Sequence, residues 1–367
     1  MELCHHARRS EGIAAMRAFR CPHCGAAVAF EEQQCSNCAT AVGFHKPWMQ
    51  IALAPEAGSS TLIDNAQWVR CANWKHGCNW LVATDAPKGI CFADAFVRTG
   101  PNPDDTEATW ELANTLKALR RLIFQLLDLK LPLKHYFEHP HGLAFDLVSS
   151  KSLGHAVKIG HANGVITIDL AESLELYRER QRIILNEPYR TMLGHFRHEV
   201  GHYYEMILVT SGALIDQART FFGDERVDYQ HALSQYYAGH VPDNWAHDYI
   251  SHYATAHPWE DWAETFAHYL HITGTLATIA DSGIVLCADR ADFDLDADID
   301  PRVSYSDADI ATLVHDWEVL SGVLNRINHA MGKEDLYPFQ LTLPVVAKLG
   351  FVQHMIHTAA EHSLVPA

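Results

Sequence analysis

The sequence predicts an α+β protein: a small cysteine-rich head with zinc-ribbon spacing, then a mostly helical body that carries a short β-sheet. Three observations predict it. Eight of the nine cysteines fall before residue 92. β-Branched, alternating segments at 143–148 and 164–170 stand ahead of long stretches of helical periodicity. The chain of 367 residues, 48% hydrophobic and 20% charged, has room for one large domain plus a small one and is too apolar for wholesale disorder.

The head comes first. Cys21-Pro22-His23-Cys24 is followed, after ten residues, by Cys35-Ser36-Asn37-Cys38. Two such knuckles present four thiolates to one zinc, and Gly25 suits the turn after the first. A segment this short has too little core to fold alone, so the ion supplies the folding energy. A second, looser cluster holds Cys71, Cys78 and Cys91, with His76 and Asp94 nearby. In Cys91-Phe92-Ala93-Asp94 an aspartate takes the place of the second thiol. Three thiolates and a carboxylate or imidazole can hold a second structural zinc. The alternative is a degenerate ribbon packed by Trp68, Trp74, Trp80 and Phe92. These spacings place the head at 16–98, with ribbons at 19–41 and 68–96. Met16 is a candidate second start, leaving 1–15 ragged.

The Pro/Gly/Asp-rich break Thr99–Asp105 separates the head from a body at 104–367. A helix is expected from Trp110 through Leu112, Leu116, Leu119, Ile123, Leu126 and Leu127, ending before Pro132. Strands follow at Leu143–Val148 and Gly164–Leu170. A long helix is expected from Pro188 to about Val209, and another from Pro258, since proline suits the first helical position. Residues 307–362 read as helices broken at Tyr337-Pro338-Phe339, a break placed to cover one side of a cleft.

Charge bounds the partners. With 28 Lys+Arg against 45 Asp+Glu the formal charge is 28 − 45 = −17, which disfavours general nucleic-acid binding. The first hundred residues hold nine Lys/Arg and eight Asp/Glu, so the head carries no basic stripe either. No run of eighteen apolar residues spans a membrane, and residues 1–20 lack the apolar core of a signal peptide. Clustered CxxC pairs without a leader point to metal sites and a cytoplasmic setting.

The chemistry concentrates in His198-Glu199-Val200-Gly201-His202. Residues i and i+4 share a helix face, so both imidazoles reach one metal while Glu199 stands beside them as a proton acceptor. Gly201 keeps the helix slim where it passes the metal. The strand at 164–170 can lie at a cleft edge and pair with an extended peptide. Fifty-eight residues after His202, Glu260 and Glu264 again share a face. One of them can ligate the metal while the other accepts a hydrogen bond from a ligand imidazole. Asp224, Glu225 and Asp228 are rival third ligands, although Arg226 more naturally pairs with a neighbouring acid. The alternating Asp292, Asp294, Asp296, Asp298 and Asp300 suggest calcium, but Ala297 and Val303 break the EF-hand pattern and leave a solvated acidic loop. His268 and His271 read as satisfied structural histidines, and Cys287 as a lone buried thiol.

The stretches CPHC…CSNC, CANW…CNWLV, GVITIDLAES, EPYRTMLGHFRHEVGHYY, FFGDERVDY, HPWEDWAETFAHYLH and DLYPFQL cover nearly the whole chain. Together they resemble the bacterial zinc-ribbon metallopeptidases of the Peptidase Mx group, related to gluzincins. The resemblance implies a zincin-like body that hydrolyses peptide bonds, with one catalytic zinc and one or two structural ones. It implies His198, His202 and Glu260 as ligands, Glu264 as the acid behind them and Glu199 as general base. Tyr253, seven residues before Glu260, resembles an oxyanion-stabilising tyrosine of some gluzincins; His252 and His257 are its rivals. Asp94 departs from the family, which usually has Cys there. The expected partners are a peptide or protein substrate and a protein docked on the ribbon. A scaffold of the same architecture without turnover is the alternative.

Overall fold

The structure, a computed structural model, describes residues 19–155, 157–175, 177, 179 and 190–363. Residues 1–15, Met16 and Pro188 lie outside the described residues.

The head is built from short antiparallel pairs. β1 (Phe19–Arg20) and β2 (Ala27–Val28) frame the first knuckle. β3 (Val42–His45) pairs with β4 (Gln50–Leu53), and β5 (Thr61–Ile63), β6 (Ala66–Arg70) and β7 (Leu81–Ala83) form a meander. Asp64 and Asn65 both adopt positive φ between β5 and β6, as a two-residue hairpin turn requires and as these residue types tolerate. Trp80, Phe44 and Phe96 are fully buried.

β8 (Val97–Thr99) leaves the head and joins the body's sheet, whose order is β10–β11–β9–β8. β9 is Ala144–Val148, β10 Gly160–Ala162 and β11 Val165–Asp169. β11 is parallel to β9 and antiparallel to β10, so it is paired along both sides. The strand expected at the cleft edge therefore has no free edge, and the three-residue β10 takes that place.

α1 (Thr106–Asp128) starts at Asp105, whose carboxylate caps Ala108 N. Its buried face runs through Leu116, Leu119, Ile123 and Leu126, but Trp110 is 59% exposed. The face turned to the body instead carries Glu111 and Thr115, polar side chains buried beside the leucines. α2 (Met192–Leu208) is capped by Thr191. α3 (Gly212–Phe222) and α4 (Tyr229–Tyr237) precede α5 (Pro258–Asp281). Trp262, Phe266, Tyr269, Leu270, Ile272 and Leu276 bury α5 on nearly every side, which makes it the spine of the body. α6 (Ile310–Ala330) and α7 (Leu343–Ser363) pack beyond it. Lys348 on α7 reaches Asp261 Oδ2 and Asp248 O, each at 2.6 Å, and pins α7 to the start of α5. No described helix is long and apolar enough to cross a membrane.

Head and body share one continuous core. Phe124 of α1 enters the head's aromatic cluster, with ring centroids 5.9 Å from Phe19, 4.9 Å from Phe30 and 5.5 Å from Phe44. Arg121 of α1 pairs with Glu31 of the head.

Candidate metal centre

The centre forms where α2 crosses α5. Gly201 permits the crossing: a Cβ there would lie 3.0 Å from Ala263 Cα and 3.1 Å from Ala263 O. The slimness expected beside the metal serves helix contact instead. Trp262 Nε1 seals the crossing by donating to Gly201 O at 2.9 Å.

His198 and His202 project from the crossing toward α5. His198 Nε2 lies 3.0 Å and His202 Nε2 3.4 Å from Glu260 Oε2. That oxygen is buried and has no hydrogen-bond partner. Two imidazole nitrogens and a bare carboxylate oxygen near this spacing suit a divalent ion, because ligand bonds of about 2.0–2.2 Å in a tetrahedron give edges of about 3.3–3.6 Å. The three other oxygens of Glu260 and Glu264 are claimed. Tyr229 OH donates to Glu260 Oε1 at 2.6 Å. Glu264 Oε1 lies 2.6 Å from His198 Nδ1, and Ser251 Oγ donates to Glu264 Oε2 at 2.6 Å. A carboxylate behind Nδ1 fixes the tautomer that leaves the Nε2 lone pair facing the centre. Burial opposes ionisation of Glu260, but His202 and His198 outweigh it and hold the carboxyl well below the usual range.

Glu199 lies beside the pair. Its Oε1 is 3.6 Å from His195 Nε2, and its buried Oε2 has no hydrogen-bond partner. Burial is offset by His195, His198 and His202, which keep the carboxylate ionised. Cavities of about 650 and 280 Å³ flank the centre, and both are lined by His198, Glu199 and Tyr253. Phe339 lines the smaller one, so the Tyr337-Pro338-Phe339 break does border the cleft. The Tyr253 ring is 5.8 Å from that of His198.

The rivals have other duties. Asp224 pairs with Arg226, Glu225 with Arg219, and Asp228 caps α4 at His231 N. His257 caps α5 through Nδ1, and its Nε2 lies 3.1 Å from Val227 O. His252 Nδ1 is 2.8 Å from Tyr236 OH. His268 Nδ1 meets Tyr337 OH at 2.8 Å. Cys287 does not stand alone: it is half-buried and within ligand reach of the exposed Asp289 and Asp298. Sequence reasoning missed Tyr229, Ser251, His195 and His161. Only the last two carried a signal, as histidines near the motif or its strand. His161 lines the larger cavity, where burial and His202 lower its pKa to about 4.

The cysteines gather as their spacing predicts. In the first knuckle pair, Cys21 and Cys38 Sγ are 3.7 Å apart, as are Cys24 and Cys35. A tetrahedron with bonds of about 2.3 Å has edges of about 3.8 Å, so the cradle fits zinc. Gly25, at φ +75°, donates to Cys21 O, and Ala39, at φ +58°, does the same to Cys35 O. Asn37 helps hold the Cys24 thiol down to about 6, toward the thiolate that metals bind. In the second cluster, Cys78 and Cys91 Sγ are also 3.7 Å apart, and Asp94 lies within ligand reach. Asp94 is not free, however. Arg120 of α1 takes Oδ1 at 2.9 Å and Oδ2 at 3.2 Å, and Asn73 donates to Oδ2 at 2.7 Å.

A cysteine-lined head on a helical body whose His–His–Glu triad suits a divalent ion defines a zinc-binding protein. The comparisons agree. The family described as "Putative zinc-binding metallo-peptidase" matches residues 107–355, and a zinc-ribbon domain matches residues 18–105. The chain belongs to that metallopeptidase family. Uncharacterized proteins of Mycobacterium bovis and Mycobacterium tuberculosis are each 40% identical to it over 348 residues, covering 94% of this chain and 96% of theirs. No solved structure matches the chain.

Proposed function

We propose that the chain is a gluzincin-like zinc peptidase in which His198, His202 and Glu260 hold the catalytic ion and Glu199 is the general base. The reading is carried by one observation: two imidazole nitrogens lie 3.0 and 3.4 Å from Glu260 Oε2, beside a Glu199 oxygen that no hydrogen bond claims. Zinc bound there supplies Lewis acidity toward a carbonyl oxygen and toward water. Glu199 takes the proton that water loses as its oxygen bonds to the scissile carbon. It returns that proton to the amide nitrogen as the C–N bond breaks. Glu264 holds His198 in orientation, and Tyr253 donates to the carbonyl oxygen as it gains charge. The free edge of β10, whose residues line the larger cavity, accepts main-chain hydrogen bonds from an extended peptide.

In this reading Cys21, Cys24, Cys35 and Cys38 hold one structural zinc. Cys71, Cys78, Cys91 and Asp94 hold a second. The head, proposed to span residues 16–98, docks a protein partner, the peptidase domain spans 104–367, and the whole works in the cytoplasm.

The test is Glu199→Gln in the zinc-loaded full chain, assayed against a broad peptide library with metal content measured alongside. The variant is expected to keep its metal and to lose hydrolysis by two to four orders of magnitude. Full activity in the variant removes Glu199 as base. A wild type that hydrolyses nothing at full zinc occupancy removes the peptidase.

A further inference from the structure

The larger cavity holds one carboxylate without a counter-charge. Glu205 lies on α2, one turn beyond His202, and lines the cavity half-buried. Among the described residues no hydrogen bond or ion pair reaches its carboxylate. Arg219, also in the wall, is consumed by Glu225, giving Nε and Nη2 to its two oxygens at 2.9 and 2.6 Å. Lys158 stands exposed at the rim and makes no ion pair with Glu205. The other carboxylates of the wall, Glu199 and Glu260, face the metal centre. Burial, with Glu225 and Glu260 near, raises the Glu205 pKa well above the usual range, so that its charged form waits on a cation.

Much of the cavity wall is apolar: Met206, Val209, Ile215, Phe222 and Trp259 line it. Glu205 stands six residues past Glu199, about 9 Å along the helix at 1.5 Å per residue. A long aliphatic stem ending in a positive charge complements both features, since it buries its methylenes while its head finds the carboxylate.

We infer that Glu205 makes this cavity a subsite for an arginine or lysine side chain of the substrate, close to the bond that is cut. This rests on the peptidase reading for its setting, but not for its test. Arg219 and Glu225 neutralise each other, and Glu199 and Glu260 are engaged at the centre, which leaves Glu205 to meet a substrate cation.

The experiment uses the zinc-loaded full chain and peptides that differ at one scanned position, carrying arginine or its uncharged isostere citrulline. In wild type the arginine peptides are expected to have kcat/KM about tenfold higher at one position, as a charge-assisted hydrogen bond implies. The preference should collapse to about twofold or less in Glu205→Gln, and Glu205→Lys should reverse it toward a glutamate peptide. Equal rates for arginine and citrulline in wild type, or a preference that survives Glu205→Gln, overturns the inference. Calorimetric binding of the same two peptides separates the two readings, because it needs no turnover. Arginine-selective binding lost in Glu205→Gln upholds the subsite even if nothing is hydrolysed. Unselective binding, or none, overturns it even if other peptides are cut.

Discussion

Replacing Gly201 by alanine tests the helix crossing on which the centre depends. The new methyl would meet Ala263 Cα at 3.0 Å, Ala263 O at 3.1 Å and Phe266 Cβ at 3.3 Å. Two of those atoms belong to the backbone of α5, so no side chain can swing aside and the helices must part. Overpacking of this kind costs about 1–3 kcal/mol. Parting them also stretches the buried bond from Trp262 Nε1 to Gly201 O, for roughly 1 kcal/mol more. Alanine returns up to about 1 kcal/mol of helix propensity, so the net loss is about 1–3 kcal/mol. His202 is the next residue and Glu260 sits on the helix pushed away, so metal affinity should fall as well. Gly322 in α6 is the control, since a Cβ there meets nothing within 4 Å and alanine should stabilise by roughly 0.5–1 kcal/mol. Urea denaturation of the full chain, with bound zinc measured, reads both. The midpoint should fall for Gly201→Ala and rise for Gly322→Ala at unchanged slope. A Gly201→Ala protein as stable and as metal-rich as wild type would refute the account of the crossing.

Three further substitutions probe the rest of the structure. Ala39 holds a left-handed conformation at the second knuckle, so Ala39→Gly should stabilise the zinc-loaded chain by roughly 0.5 kcal/mol; a lower denaturation midpoint would contradict this. Arg120→Met leaves the buried Asp94 carboxylate without its cation, keeping only Asn73 and the Cys71 thiol, and should cost about 3–5 kcal/mol; an unchanged denaturation midpoint would contradict this. Glu264→Gln weakens the hold on His198 and should lower affinity for the body's zinc about 10–100-fold in a chelator competition, while the head's zinc is unmoved.

What the sequence made legible was local. The His pair, the two glutamates and the four thiols of the first ribbon are fixed by intervals of three or four residues, and helix and knuckle geometry turn those intervals into shared faces. The long helices were legible for the same reason. What stayed hidden depends on partners far away in the chain. Nothing in the interval around Tyr229 announces that its hydroxyl meets Glu260, 31 residues on. Asp94 looked like a weak ligand, because its pairing with Arg120 crosses the boundary that composition suggested. β11 carries the strongest strand pattern, but that alternation reports which face is buried and is silent on the edges, which β9 and β10 take. The free edge went instead to β10, three residues of no distinctive composition. Trp110 marks the helix correctly, yet helical spacing says nothing about which face the body covers, and its ring stays exposed.

α1 ties the head to both helices of the centre. Along one helix, Arg120 grips Asp94 beside the second thiol cluster, Phe124 fills the aromatic core above the first ribbon, and Gln125 turns the other way. Gln125 Nε2 donates to Leu270 O of α5 at 2.7 Å, while its Oε1 accepts from Arg197 Nε of α2 at 3.0 Å. A single amide thus bridges both site helices at a buried position, where leaving either group unpaired costs about 1–3 kcal/mol. Arg197 is the residue before His198, so the register of the first imidazole is set partly from α1. α1 therefore couples the aromatic core of the head to both site helices through packed side chains and one buried amide.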